Sequence, residues 1–245
     1  MQWLELLTLA LLPAFLIADF FYRARREPSV AGWRLRAGVF TALSFALSLA
    51  TGALWATVFD GKSLLDGASL GIAGGALAGI LCYELCHYAY HRSAHSFRWL
   101  WRIHQMHHSA ETLDAWGAYY LHPLDAVFFV TWSSLVMFPL LGLAPEAGAV
   151  AVAFITFAGI FQHANLKTPR WLGFIVQRPE SHAIHHARAV HHENFADLPL
   201  LDMLFGTFNN PRHSVEKLEQ GFYFGASRRW LESLLLRDVT SPRQP

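Results

Sequence analysis

Long apolar stretches separated by short polar ones fill the first two thirds of the chain. A helix that crosses a bilayer needs roughly 20 mostly apolar residues. Residues 1–22, 39–59, 68–86, 124–143 and 147–161 approach that pattern. The first has Glu5 and Asp19 near its ends. It lacks the basic start and small-residue cleavage site of a signal peptide, so it is read as part of the mature chain. The third opens on Gly71, Gly74, Gly75 and Ala76, small residues that let helices approach closely. A short turn over 142–146 with Pro145 joins the last two, which reads as a helical hairpin of transmembrane or re-entrant arms. The expected fold class is all-α: a polytopic membrane helix bundle of about four or five helices with a cytoplasmic, histidine-rich helical cap. The N-terminal transmembrane helices take 1–67, a histidine-bearing domain takes 68–210, and a C-terminal amphipathic helix and tail take 211–245. No internal repeat or low-complexity segment interrupts this order.

Composition supports a membrane protein. Of the 245 residues 53% are hydrophobic and only 15% charged, against roughly 25% charged in soluble domains. That excludes a soluble enzyme and a disordered chain. The net charge of +1 excludes a nucleic-acid partner. Cys82 and Cys86 sit inside the third apolar stretch and read as reduced packing residues. With five spans, 18 of the 19 Lys and Arg residues fall on one side and only Lys62 on the other. The positive-inside rule then places the N-terminus outside and the C-terminus in the cytoplasm. All 14 histidines fall on the same cytoplasmic side, although histidine took no part in that assignment.

The histidines are clustered. His87 and His91 form an H-x3-H pair. His104, His107 and His108 form an H-x2-HH triplet, and His182, His185 and His186 form a second. His163 stands alone after the fifth stretch. Residues three and four apart share a helix face, so such spacings can bring two imidazoles to one metal ion. Structural zinc sites take four ligands and catalytic ones three, so nine imidazoles suit two ions. Imidazole serves Zn, Cu, Fe and Ni alike. Glu84 and His87 form one Glu-x-x-His, whereas the soluble carboxylate-bridged di-iron bundles use two with two further glutamates. Glu84 is therefore read as orienting a ligand rather than binding metal.

Together these residues resemble the fatty acid hydroxylase/sterol desaturase superfamily of integral-membrane di-iron enzymes. The likeness runs from His91-Arg92 and His95 through Trp99, His104 and His107-His108-Ser109-Ala110-Glu111. It continues in His122-Pro123-Leu124-Asp125, Gln162-His163-Ala164-Asn165, Asn194-Phe195 and Asp202-Met203-Leu204-Phe205-Gly206-Thr207-Phe208, covering roughly 81–208. The resemblance makes 68–210 a catalytic domain. It implies an oxygenase that uses two iron ions, O2 and two electrons to hydroxylate, desaturate or cleave a lipid drawn from the bilayer. It implies His87, His91, His104, His107, His108, His163, His182, His185 and His186 as metal ligands. Glu84, His122, Asp125, Asn165 and Asp202 would support them.

Ala196-Asp197 departs from that pattern, which often has Gly after the aromatic residue, and His191 and His192 follow in an unmatched segment. These two, with His95 and His213, are read as ordinary non-ligand residues. No H-P-G-G signature of a fused cytochrome occurs, so electrons are expected from a separate donor of ferredoxin or cytochrome type with its reductase. Tyr83, Tyr88, Tyr90, Trp99 and Trp101 crowd the boundary as an interfacial aromatic belt. The alternative function is a membrane metal transporter or sensor. Histidines gathered at one face, rather than along a path through the spans, count against it.

Overall fold

The computed structural model describes residues 2–243. The helices are α1 (Gln2–Phe21), α2 (Trp33–Val58), α3 (Gly71–Ser96), α4 (Arg98–His108), α5 (Pro123–Leu135), α6 (Pro145–His163), α7 (Pro179–His185), α8 (Leu200–Phe205) and α9 (Trp230–Leu234). A π turn over Val136–Leu140 continues α5. No strand occurs among the described residues, so the expected all-α class holds.

Five segments are long and apolar enough to cross a membrane: Trp3–Phe21, Trp33–Val58, Gly67–Ser96, Pro123–Leu140 and Pro145–His163. They leave large apolar side chains exposed, among them Trp3, Leu7, Leu49 and Leu77. Such continuous apolar surface is stable only against lipid. The protein is an integral membrane protein. Two of the helices outrun their apolar stretches. α2 begins six residues early, at Trp33, and α3 runs ten residues past Cys86 to Ser96. That extension of α3 carries His87, His91 and His95 out of the apolar run.

α3 packs along α6, α2 along α5, and α1 against the outer side of α6. Small residues make the α3–α6 seam, as the sequence predicts. A Cβ on Gly75 would stand 3.0 Å from that of Ala147, and one on Gly79 would stand 2.9 Å from Leu143. The π turn has a local cause. Pro139 has no N–H to give, and Leu141 N bonds back to Val136 O at 3.0 Å. The carbonyls of Pro139 and Leu140 accept from Leu64 and Leu65, which ties the hairpin tip to the loop before α3.

The C-terminal segment differs from expectation. The amphipathic helix shrinks to the five residues of α9, with Trp230 edge-on to Phe40 at 5.8 Å. The tail that follows, from Asp238, is docked on α4. Val239 is wholly buried, and its N–H donates to Gln105 Oε1. Asp238 pairs with Arg102 at 3.0 Å. Residues 244–245 of that tail lie outside the described residues.

Candidate metal centre

α3 runs into α4 with only Phe97 between them, and α7 packs on the end of α6. Histidines from all four helices converge there in two groups. His91, His95, His104, His108 and His185 form the first; His107, His163, His182 and His186 form the second. Within each group the candidate ligand atoms lie within 4.8 Å of one another.

The two triplets are wired oppositely. In α4 the i,i+4 pair His104 and His108 goes to the first group and His107 to the second. Around α7 the pair His182 and His186 goes to the second group and His185 to the first. Successive helical residues point about 100° apart. A His-His doublet therefore cannot aim both rings at one point, but it can serve two neighbouring points. The groups touch through these doublets: the rings of His108, from the first, and His186, from the second, stack at 4.2 Å.

Ring tautomers follow from the acceptors. Nδ1 of His91 donates to Phe195 O, that of His185 to Glu193 O and that of His163 to Gly159 O, each at 2.7 Å. A carbonyl only accepts, so these rings carry their proton on Nδ1 and offer a lone pair at Nε2. His104 Nδ1 faces the buried Asp125 Oδ2 at 2.7 Å with the same result. Nε2 of His91 and of His185 has no hydrogen-bond partner, and neither ring nitrogen of His95 has one.

The second group cannot satisfy itself. Its Nε2 atoms form a chain, with His107 to His163 at 3.0 Å, His163 to His182 at 3.1 Å and His182 to His186 at 3.1 Å. Each nitrogen holds either one proton or one lone pair, and that of His163 holds a lone pair. If His182 donates to His163, it cannot also accept from His186; if it accepts, it faces His163 lone pair to lone pair. One of the three contacts fails under any protonation. A cation resolves all of them. Two nitrogens each about 2.1 Å from one ion stand roughly 3.0–3.4 Å apart, which matches the spacing found. The residues fit a metal.

Burial, and then the neighbouring imidazoles, push His107, His108, His182 and His186 well below the ordinary histidine range. Burial does the same for His185. These rings are neutral near pH 7, the form that binds a metal.

Supporting residues hold the rings in place. Asp125 takes the Tyr90 hydroxyl on its other oxygen. Asp202 accepts from the N–H groups of Phe195 and Ala196 at 2.8 and 2.9 Å, which fixes the carbonyl that orients His91. Asn165 exchanges hydrogen bonds with the Arg25 backbone, and its own N–H donates to Asp19 at 2.7 Å. That network pins the end of α6 beside His163. His122 caps α5, accepting from Leu124 N at 3.1 Å, and joins neither group.

Two further placements differ from the sequence-based expectation. His87 lies in neither histidine group; it faces Glu84 and Asp197. His95, expected to be a bystander, stands among the first group. The signal for it was present, because His87, His91 and His95 form a ladder of i,i+4 steps and spacing alone does not select which rungs are used. His191 packs against His108 at 4.9 Å without joining a group, while His192 and His213 are exposed.

The fatty acid hydroxylase profile matches residues 76–207, more than half of the chain and nearly all of the histidine-bearing part. The chain belongs to the fatty acid hydroxylase family. Among curated proteins it is 31% identical over 138 residues to an ornithine lipid hydroxylase of Rhizobium tropici, covering 54% of this chain and 41% of that protein. It is 30% identical over 139 residues to sphinganine C4-monooxygenase 1 of Arabidopsis thaliana, covering 55% and 53%. It is 31% identical over 129 residues to the alkylglycerol monooxygenase of Danio rerio, covering 51% and 28%. The matched stretch thus spans about half or less of each relative. No solved structure matches the chain.

Proposed function

We propose that this protein is a lipid monooxygenase with two iron ions, one in each histidine group, acting on a polar-headed lipid with a long hydrocarbon chain. The observation that supports it most is the pair of buried imidazole groups, of which the second cannot be satisfied by protons alone. The named relatives act on an ornithine lipid, sphinganine and an alkylglycerol, and that range supports a lipid substrate. When bound, the iron pair supplies O2 activation for attack on an unreactive C–H bond. Overall, one oxygen atom enters that bond and the other leaves as water, at the cost of two electrons and two protons. The electrons come from a separate donor protein. The lopsided basic charge supports an outside N-terminus and a cytoplasmic histidine cap, so the donor docks from the cytoplasm.

The chain's own part is to present and fix the rings. His91, His95, His104, His108 and His185 hold one ion; His107, His163, His182 and His186 hold the other. Asp125 and the carbonyls of Phe195, Glu193 and Gly159 keep the Nδ1 protons in place, so that each Nε2 stays free for metal.

The test is purified protein in lipid nanodiscs, loaded with iron and supplied with a reductant, O2 and a total lipid extract. Mass spectrometry should show O2-dependent gain of one oxygen on a lipid. Metal content should fall in His95→Ala and His186→Ala and hold in the exposed His213→Ala. Iron-loaded protein that converts no lipid but carries metal across a vesicle membrane would replace this reading with transport.

A further inference from the structure

Glu84, His87 and Asp197 lie one helical turn along α3 from the first histidine group, with the His87 and His91 rings parallel at 5.6 Å. All three residues are buried: Glu84 and Asp197 are each 2% exposed and His87 7%. One candidate ligand atom from each lies within 4.8 Å of the others.

Each carboxylate has one oxygen engaged. Glu84 Oε2 accepts from Leu198 N at 3.0 Å, and Asp197 Oδ1 accepts from Gln162 Nε2 at 2.8 Å. Glu84 Oε1 has no hydrogen-bond partner, and neither has His87 Nδ1, which stands 3.5 Å from Asp197 Oδ2. No Lys or Arg forms an ion pair with either acid among the described residues. Two buried carboxylates without a counter-charge are costly. A proton on His87 Nδ1 can answer Asp197 Oδ2 but leaves Glu84 Oε1 without a partner. One dication would neutralise both acids and take a lone pair from all three residues.

We propose that Glu84, His87 and Asp197 form a third metal site, holding one divalent cation separate from the two all-histidine groups. Two carboxylates and one imidazole make a harder ligand set than either group of rings. It suits Mn2+ or Fe2+ better than a soft metal. Gln162 orients Asp197 from behind. The 194–198 loop then has two anchors, Asp202 beneath Phe195 and the cation at Asp197, and it presents the carbonyl that orients His91. The site does not depend on the oxygenase reading, because its residues belong to neither histidine group.

The test is metal counting on the full chain in nanodiscs, purified without chelator. Iron-loaded protein is given Mn2+, passed through gel filtration, and measured by inductively coupled plasma mass spectrometry and by the Mn2+ paramagnetic signal. Wild type should hold three metals per chain, one of them exchangeable for Mn2+. Asp197→Asn and Glu84→Gln should hold two and retain no Mn2+. Two metals and no Mn2+ in wild type overturn the site, as does a third equivalent that survives in both variants. If Asp197→Asn strips the histidine groups or fails to assemble, His87→Gln answers the same question, since its ring ties down no backbone group. The outcome is distinct from failure of the oxygenase reading, in which His95→Ala and His186→Ala leave the metal count unchanged.

Discussion

Asp125 offers a selective way to weaken one of the two proposed metal centres. It is fully buried, and its two oxygens accept from His104 Nδ1 at 2.7 Å and from the Tyr90 hydroxyl. Asp125→Leu keeps the number and branching of the heavy atoms and removes both acceptors. His104 is then free to move its proton to Nε2, the atom that would face the metal. A hydrogen bond to a charged group is worth about 1.5–3 kcal/mol. Since 1.4 kcal/mol is a factor of ten, the first group should bind metal about 10- to 100-fold more weakly, the usual cost of losing such a partner. Asp125→Asn can turn its amide oxygen to His104 and its NH2 to the Tyr90 oxygen. It keeps the tautomer without the charge and should lose less than about tenfold. Tyr90→Phe leaves the bond between Asp125 and His104 intact and should stay near wild type. The assay is metal retained against a rising chelator concentration. Asp125→Leu should give a two-step curve, with one equivalent leaving early and the second group releasing as in wild type. A single-step curve shifted as a whole, or Asn weaker than Leu, would refute the reasoning.

Two further outcomes concern stability. Burial first, and the neighbouring rings after it, hold His107, His108, His182, His185 and His186 well below their ordinary value; burial also takes His191 down to about 4. The unfolded chain takes up these protons near pH 6.5 and the folded one does not, so metal-free protein should lose stability as pH falls below about 6.5, by about 1.4 kcal/mol per pH unit for each such ring; thermal unfolding after chelation, at pH 7.5, 6.0 and 5.0, checks this, and an unchanged midpoint contradicts it. Gly61 and Gly142 both have φ +63, but a Cβ meets nothing at Gly61 and stands against Leu65 O at Gly142. Gly61→Ala should cost only the left-handed strain of about 1–2 kcal/mol, and Gly142→Ala distinctly more; equal midpoints in a thermal aggregation assay would show that the hairpin tip yields.

The apolar pattern located the five membrane helices to within a few residues on most ends, because the lipid requirement acts on the chain locally. It misplaced the end of α3, since nothing polar in 87–96 breaks a helix and the chain continues as one rod into the cap. The two triplets and His163 were readable as a histidine assembly because helical spacing is local as well. What spacing could not supply was the partner. His87 and His95 stand symmetrically about His91 in sequence, and only the position of Asp197, 110 residues beyond His87, separates their roles. Asp19 was read only as a charge near a helix end, yet with the Arg25 backbone it braces Asn165 at the end of α6. The same limit applies to the tail, whose docking depends on Gln105 of α4 accepting from Val239.

The opposed wiring of the triplets explains why the site is a pair rather than one large cluster. Each doublet diverges by about 100°, so His107-His108 and His185-His186 each place one ring on either side of a shared wall. The stacked His108 and His186 rings are that wall. Neither group is complete within one helix: the first draws on α3, α4 and α7, the second on α4, α6 and the α7 segment. A metal in either group therefore ties α4 to α7, and loss of one leaves the other tie in place. His163 is the sole contribution of α6. The link between α6 and the cap histidines passes through the second group alone, while the first group ties the cap to α3, so each group couples the cap to a different span.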